Sequence, residues 1–115
     1  MKYVLLFCGT PEDQRAWDAM SPEEKGRRYA EVGRWFQEHK RKITGGNQLA
    51  APTTATTVRP NGSGEPLVTD GPFMEGNEII GGYAEIEVPD LDEALRMARG
   101  WPSGPVEIRP VMSMG

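Results

Sequence analysis

Apolar positions along this 115-residue chain come in short blocks, and the spacing within each block predicts the element it forms. Lys2 to Cys8 is rich in β-formers and apolar at both parities, with Tyr3, Leu5 and Phe7 on one and Val4, Leu6 and Cys8 on the other, which predicts a strand buried on both faces. A helix start follows. Ser21 can cap, Pro22 suits the first helical position, and Glu24, three residues after Ser21, completes a capping box. From there Tyr29, Val32 and Phe36 recur at helical spacing, while Arg27, Arg28, Glu31, Lys40 and Arg41 take the remaining surface and Gly45-Gly46 stands beyond the end. The pattern predicts an amphipathic helix of about five turns.

Beyond Gly46, Ala, Thr and Pro replace Glu, Lys and Arg. Thr56 to Arg59 reads as a strand, because β-branched side chains are stiff and fit a pleated surface. The turn-formers from Pro60 to Pro66 and the short run Leu67 to Thr69 then predict a hairpin with a six- or seven-residue tip. Alternation from Gly81 to Val88 sets Ala84, Ile86 and Val88 on one face and Tyr83, Glu85 and Glu87 on the other. Asp90 caps a second helix with Glu93 three residues on; Leu91, Ala94, Leu95 and Ala98 form its stripe and Gly100 stops it. In the last strand Val106 and Ile108 alternate with Glu107 and Arg109, and Pro110 sets its far end at an edge or past the last ladder bond.

The order β, α, β plus hairpin, β, α, β is the split βαβ pattern of a ferredoxin-like α+β domain, here βαββαβ with an added hairpin, in one domain spanning residues 1–115. Right-handed crossovers put both helices on the same side of a sheet of about four or five strands, so one face is left open. That face carries Tyr83, Glu85, Glu87, Glu107 and Arg109 with one of the two apolar sets of the first strand. A surface with large apolar residues at its centre and ionisable ones around them is ill suited to bare water, and is suited to line a cavity between two copies of the sheet.

Composition narrows the partners. With 13 Lys+Arg against 17 Asp+Glu, the formal charge of −4 and the pI near 5.0 argue against nucleic acid. Single Cys8 cannot form an internal bridge, and the opening apolar run is about half a secretory signal core with bulky Phe7 before the cysteine, so a cytoplasmic setting is expected. No apolar run approaches the length of a membrane-spanning helix.

Candidate chemistry centres on Val68-Thr69-Asp70-Gly71-Pro72-Phe73. Gly71 permits unusual dihedrals and Pro72 biases it toward extended backbone, so Asp70, at a strand end, is held in place. A carboxyl used as general acid or base needs partial burial, or a neighbouring cation if it is to stay ionised; the plainer use of Asp beside Gly is to bond the amides of its own turn. Arg59 and Arg109 can each bind a ligand carboxylate with two hydrogen bonds, or pair with Glu85, Glu87 or Glu107 within the sheet. His39 falls at the C-terminal end of the first helix, where it caps the dipole. With one His and one Cys there is no convincing zinc or Cys-His set, and Gly45-Gly46 and Gly81-Gly82 fit no phosphate-loop pattern, so neither metal nor cofactor is expected; these glycines read as turn or close-approach positions. Trp17, Trp35 and Trp101 read as packing or interface residues.

Five blocks in register, Ala55-Thr56-Thr57-Val58-Arg59, Val68 to Phe73, Gly81-Gly82-Tyr83 with Ile86-Glu87-Val88, Leu91-Asp92-Glu93-Ala94-Leu95 and Val106 to Met112, resemble the YCII-related superfamily and within it the DGPF-domain branch. The resemblance implies a dimeric ferredoxin-like α/β barrel with two sheets facing across a cleft. It implies no single reaction: a cleft His and Asp suggest enzymes, one related class is dehalogenase-like on chlorinated aromatics, and DGPF proteins neighbour extracytoplasmic-function sigma factors. Asp70 matches the branch motif, but the helical His of the wider superfamily falls near Tyr29, so the His–Asp pair is broken here and Tyr29, a poor base, is its weak substitute.

Two readings follow from different classes. In one, the homodimer's cleft binds a small anionic or aromatic molecule, with Asp70 as anchor or acid/base, Arg59 and Arg109 as anion contacts, and Tyr29 and Tyr83 as hydrogen-bonding walls. In the other, the facing sheets form only an interface, and the protein is a non-catalytic regulatory or protein-interaction module, such as a sigma-factor-associated accessory protein.

Overall fold

The computed structural model describes residues 1–74 and 76–113. In chain order its elements are strand β1 (Lys2–Gly9), helices α1 (Pro11–Ala19) and α2 (Pro22–Glu38), strand β2 (Ile43–Gln48), a 3-10 turn (Pro52–Thr54), strands β3 (Thr56–Arg59), β4 (Leu67–Asp70) and β5 (Ile79–Glu87), helix α3 (Leu91–Arg99) and strand β6 (Val106–Pro110). The four strands β2-β5-β1-β6 form one antiparallel sheet in that order, and β3-β4 form a separate hairpin. Three helices and an antiparallel sheet make an α+β chain whose order is compatible with a ferredoxin-like fold. No helix among the described residues is long and apolar enough to cross a membrane.

The core lies between the sheet and the helices. Tyr3 and Leu5 of β1, Ala84 and Ile86 of β5 and Val88 just beyond it meet Trp35 of α2 and Ala94 and Met97 of α3, all buried. Register explains which β1 set is inside: Tyr3 lies opposite Ile86, and Leu5 opposite both Ala84 and Ile108, so residues facing one another across the ladders share the helical side. Phe7 extends this layer into an aromatic cluster, stacked on Trp101 (centroids 3.9 Å) and edge-on to Trp35 (5.8 Å) and Phe36 (6.3 Å). Trp35 and Trp101 are packing residues, as their type suggested; the Trp35 Nε1–H donates to the Met97 carbonyl at 2.8 Å, whereas the buried Trp101 Nε1–H has no partner among the described residues.

Several expectations are corrected. Helix α1 was not anticipated, although Thr10-Pro11-Glu12-Asp13 carries a complete capping box: the Asp13 N–H donates to Thr10 Oγ1 (3.2 Å) and the Thr10 N–H to Asp13 Oδ2 (2.9 Å). At α2 only half of the expected box forms, the Glu24 N–H donating to Ser21 Oγ at 3.1 Å. The buried residue of α2 is Trp35, with Val32 half-buried, while Tyr29 and Phe36 of the expected stripe are 57% and 37% exposed. On α3 Met97 is buried and Leu91 exposed.

Gly45-Gly46 does not follow a helix end but lies inside β2, where Gly46 opposes Ala84 with φ +139° beside a bulge; a Cβ there would overlap the Tyr83 carbonyl and reach 2.8 Å from the Ala84 Cα. The second strand of the sheet is therefore β2, and the predicted hairpin, correct in its partners and its Pro60–Pro66 tip, stands apart from the sheet rather than adding to it. Pro110 ends β6, an edge strand, as its missing N–H requires.

Candidate functional site

The sheet face turned away from the helices is open. Val4 and Leu6 run along its middle on β1, both half-buried. Val4 lies between Glu85 of β5 and Arg109 of β6, and Leu6 between Tyr83 and Glu107. Asn47 of β2 opposes Tyr83 and donates from Nδ2 to its phenol oxygen at 3.4 Å. Arg109 does what the plainer reading expected and pairs with Glu107 on its own strand at 3.3 Å, an exposed ion pair of about 0–1 kcal/mol. Glu87 lies 3.7 Å from the N-terminal amine.

Asp70 sits on the hairpin, as the last residue of β4 opposite Thr56 rather than just beyond the strand. Strand alternation gives it the same hairpin face as Val58 and Val68, which oppose each other at 60% and 65% exposure. Its own carboxylate is exposed and, among the described residues, accepts no hydrogen bond, so it does not serve the turn amides. Backbone and hydroxyl groups hold the segment instead: the Gly71 N–H donates to the Ala55 carbonyl (2.7 Å), and Thr57 Oγ1 to the Gly71 carbonyl (2.7 Å). Gly71 takes φ +107°, so its freedom from a Cβ is used for positive φ rather than ordinary extended backbone. Arg59, on the opposite hairpin face, donates to the Phe73 carbonyl (3.1 Å) and stands over the Phe73 ring (5.2 Å), pinning the exit of the Asp70-Gly71-Pro72-Phe73 segment.

The candidate residues thus fall in three places. Tyr83 and Arg109 share the open face, and Asp70 and Arg59 share the hairpin on opposite faces. Tyr29 is on α2, its ring edge-on to Trp17 of α1 at 5.1 Å, and no hydrogen bond joins it to Asp70 among the described residues. Asn47 was missed because its strand was missed; a polar residue next to a pair of glycines carries no signal of its own. Also unforeseen was the ion cluster in which Glu93 of α3 takes Lys42 on Oε1 and the Arg96 guanidinium on Oε2 (2.6 and 2.9 Å), which holds its carboxyl down at about 2 through hydrogen bonds from Lys42 first and Arg96 second.

His39 does occupy the C-cap of α2, packed against Trp35 at 4.8 Å, but burial first and Lys42 second lower its pKa, which disfavours the cation a dipole cap calls for. Among the described residues no group of three or more His, Cys, Asp or Glu could hold a metal ion.

The profile of the YCII-related domain matches residues 1–115, the whole length of the chain. An uncharacterized protein of Rhizobium meliloti (strain 1021) is 34% identical over 116 residues, covering 96% of this chain and 92% of that protein. With its sheet, its helices and the match along its full length, the chain belongs to the YCII-related family.

Proposed function

We propose that the protein works as a homodimer in which two open sheet faces enclose a cleft for a small anionic or aromatic molecule, the dimeric α/β-barrel arrangement. Surface area carries this reading. The chain exposes 8674 Å², where a folded monomer of its mass exposes about 6,200 Å². The excess, about 2,400 Å², is of the size each partner buries in a large obligate interface. Shape agrees: the radius of gyration is 16.7 Å, against about 13 Å for a chain of this length, and the extents are 49 × 47 × 19 Å. A second sheet would cover the half-buried Val4–Leu6 strip, and the separate two-stranded hairpin is too small to be stable without packing against something.

On this reading residues 1–115 form one unit of the DGPF branch. The hairpin carries Asp70 to the cleft, where a covered carboxylate serves as polar anchor and acid/base; Arg109 supplies the anion contact and Tyr83 an aromatic wall, while Arg59, on the other hairpin face, holds the Asp70 segment through Phe73. The exposed apolar pair Val58–Val68 favours a second reading, a non-catalytic module whose hairpin docks on a regulatory protein.

Light scattering on the purified protein tests the dimer, which should run at twice the 12.7 kDa chain mass. A thermal-shift series with small aromatic carboxylates on wild type and Asp70→Asn then separates the readings. A shift in wild type that shrinks in Asp70→Asn supports the cleft. A monomer, or equal shifts in both proteins, removes Asp70 from a binding site, and a dimer that responds to none of the carboxylates favours the module.

A further inference from the structure

Glu85 is the carboxylate of the open face that lacks a counterion; the exposed Lys2, on the same face of β1, lies opposite Glu87 instead. It is exposed beside the apolar strip, and among the described residues its carboxylate joins no ion pair and accepts no side-chain hydrogen bond, while Glu87 has the N-terminal amine and Glu107 has Arg109. Docking a second sheet on this face takes Glu85 out of water, and a covered carboxylate without a cation is costly. Arg109 flanks Val4 in the same row as Glu85, one strand to the other side of β1.

To bury the Val4–Leu6 strip, β1 must lie over the partner's β1, and a two-fold axis in the plane between the sheets does this in two ways. An axis across the strands that keeps the Val4–Leu6 strips in contact sets β5 against the partner's β5, where Glu85 meets Glu85 or Tyr83 of the partner subunit and has no cation directly opposite it. An axis along the strands preserves the rows and sets β5 against the partner's β6.

Resting on the dimer proposed above, we infer that the two-fold axis runs along β1, so that Glu85 of each subunit pairs with Arg109 of the partner subunit. Two such pairs, reaching across a gap of about 10 Å between aligned sheets, close the Val4 end of the cleft. The Leu6, Tyr83 and Asn47 end, which Arg109 borders, is left for the ligand. The weak, exposed Glu107–Arg109 contact is no obstacle: once it gives way, the guanidinium has donors for Glu85 of the partner subunit and for a ligand carboxylate.

Charge reversal tests this with the two single variants Glu85→Arg and Arg109→Glu. Both positions are exposed in the chain, and circular dichroism melts check that each variant folds. Each variant alone sets like charges together at both pairs and should raise the dimer dissociation constant at least about tenfold in analytical ultracentrifugation. Mixing the two in equal amounts should restore a dimer, because the reversed side chain of one then faces the reversed side chain of the other. A pair within one chain cannot give that result.

A wild type that dimerises while the mixture stays monomeric overturns the axis and leaves the dimer standing. Rescue of Arg109→Glu by mixing with Glu107→Arg instead identifies the axis across the strands and also overturns the inference. A monomeric wild type overturns the dimer reading, and this pairing with it.

Discussion

Trp35 is the one side chain through which α2 enters the core, and replacing it should separate packing from hydrogen bonding. Its indole is buried among Phe7, Phe36 and Trp101, with ring centroids 5.0–5.8 Å away, and donates to the Met97 carbonyl. Trp35→Ala removes the ring and leaves a cavity that seventeen residues of otherwise surface helix cannot fill, at a cost of about 4 kcal/mol. Trp35→Phe keeps most of the apolar contact. It orphans no acceptor, because the Met97 carbonyl also receives the Gly100 N–H at 3.2 Å, so its cost is limited to about 1–2 kcal/mol for one hydrogen bond and some ring area.

The assay is equilibrium urea unfolding followed by circular dichroism at one fixed protein concentration, since association would add a concentration term. Against a total stability of about 5–15 kcal/mol the alanine variant should be visibly marginal. A loss below about 1.5 kcal/mol for Trp35→Ala, or equal losses for the two variants, would refute the argument that this ring anchors the helix.

Three other outcomes are expected. Gly46→Ala must give up either its positive φ or the close approach to β5 and should cost at least about 2 kcal/mol in the same assay, and NMR should show the Asn47–Tyr83 hydrogen bond broken. Glu93 has a folded value of about 2 below its ordinary 4.5, so its stabilisation is complete above pH 4.5 and is lost as pH falls toward 2; Glu93→Gln should flatten the urea midpoint across that window. His39 is likewise lowered from 6.5, so the folded state resists its protonation and stability falls as pH drops below 6.5; His39→Gln should remove that slope, and an unchanged slope counts against burial as the cause.

Legibility followed burial. β1, β5, α3 and β6 were readable because each has a buried face, and so leaves period 2 or a cap-to-glycine frame in the sequence. β2 was not: Ile43-Thr44-Gly45-Gly46-Asn47-Gln48 has one large apolar residue and two glycines, and holds its place on the sheet edge through backbone pairing and close approach. α1 was missed for a related reason. Its cap signature is complete, but it buries no side chain, and without an apolar stripe the cap alone did not suggest a helix. On α2 both Tyr29-Val32-Phe36 and Val32-Trp35-His39 fit helical spacing, and only the shape of the Phe7–Trp101 cluster selects the second. Individual site residues were legible as types; that they divide among hairpin, open face and helix was not, because their separation is set by β2 replacing the hairpin in the sheet.

That division bears on the His–Asp pair that the resemblance implies. Tyr29 stands on the helical side of the sheet, its ring engaged by Trp17, whereas Tyr83, Asn47, Glu85 and Arg109 stand on the other. A phenol on the helical side cannot serve a ligand held against the open face of its own sheet. If Asp70 does chemistry in a cleft built on that face, its counterpart is a group of the open face, and Arg109 is the ionised candidate there on the cationic side. An aspartate working beside an arginine stays ionised and accepts protons or anchors a donor, whereas an aspartate beside a histidine can share and relay one. With Tyr29 at the position where the resemblance implies a helical histidine, the expected behaviour is binding rather than relay; Tyr29→Phe should leave any ligand-induced thermal shift unchanged, while Arg109→Gln, held at a concentration where it is still a dimer, should abolish the response to carboxylates. A shift lost in Tyr29→Phe would show that the helical residue still reaches the ligand, which the sheet of this chain does not allow.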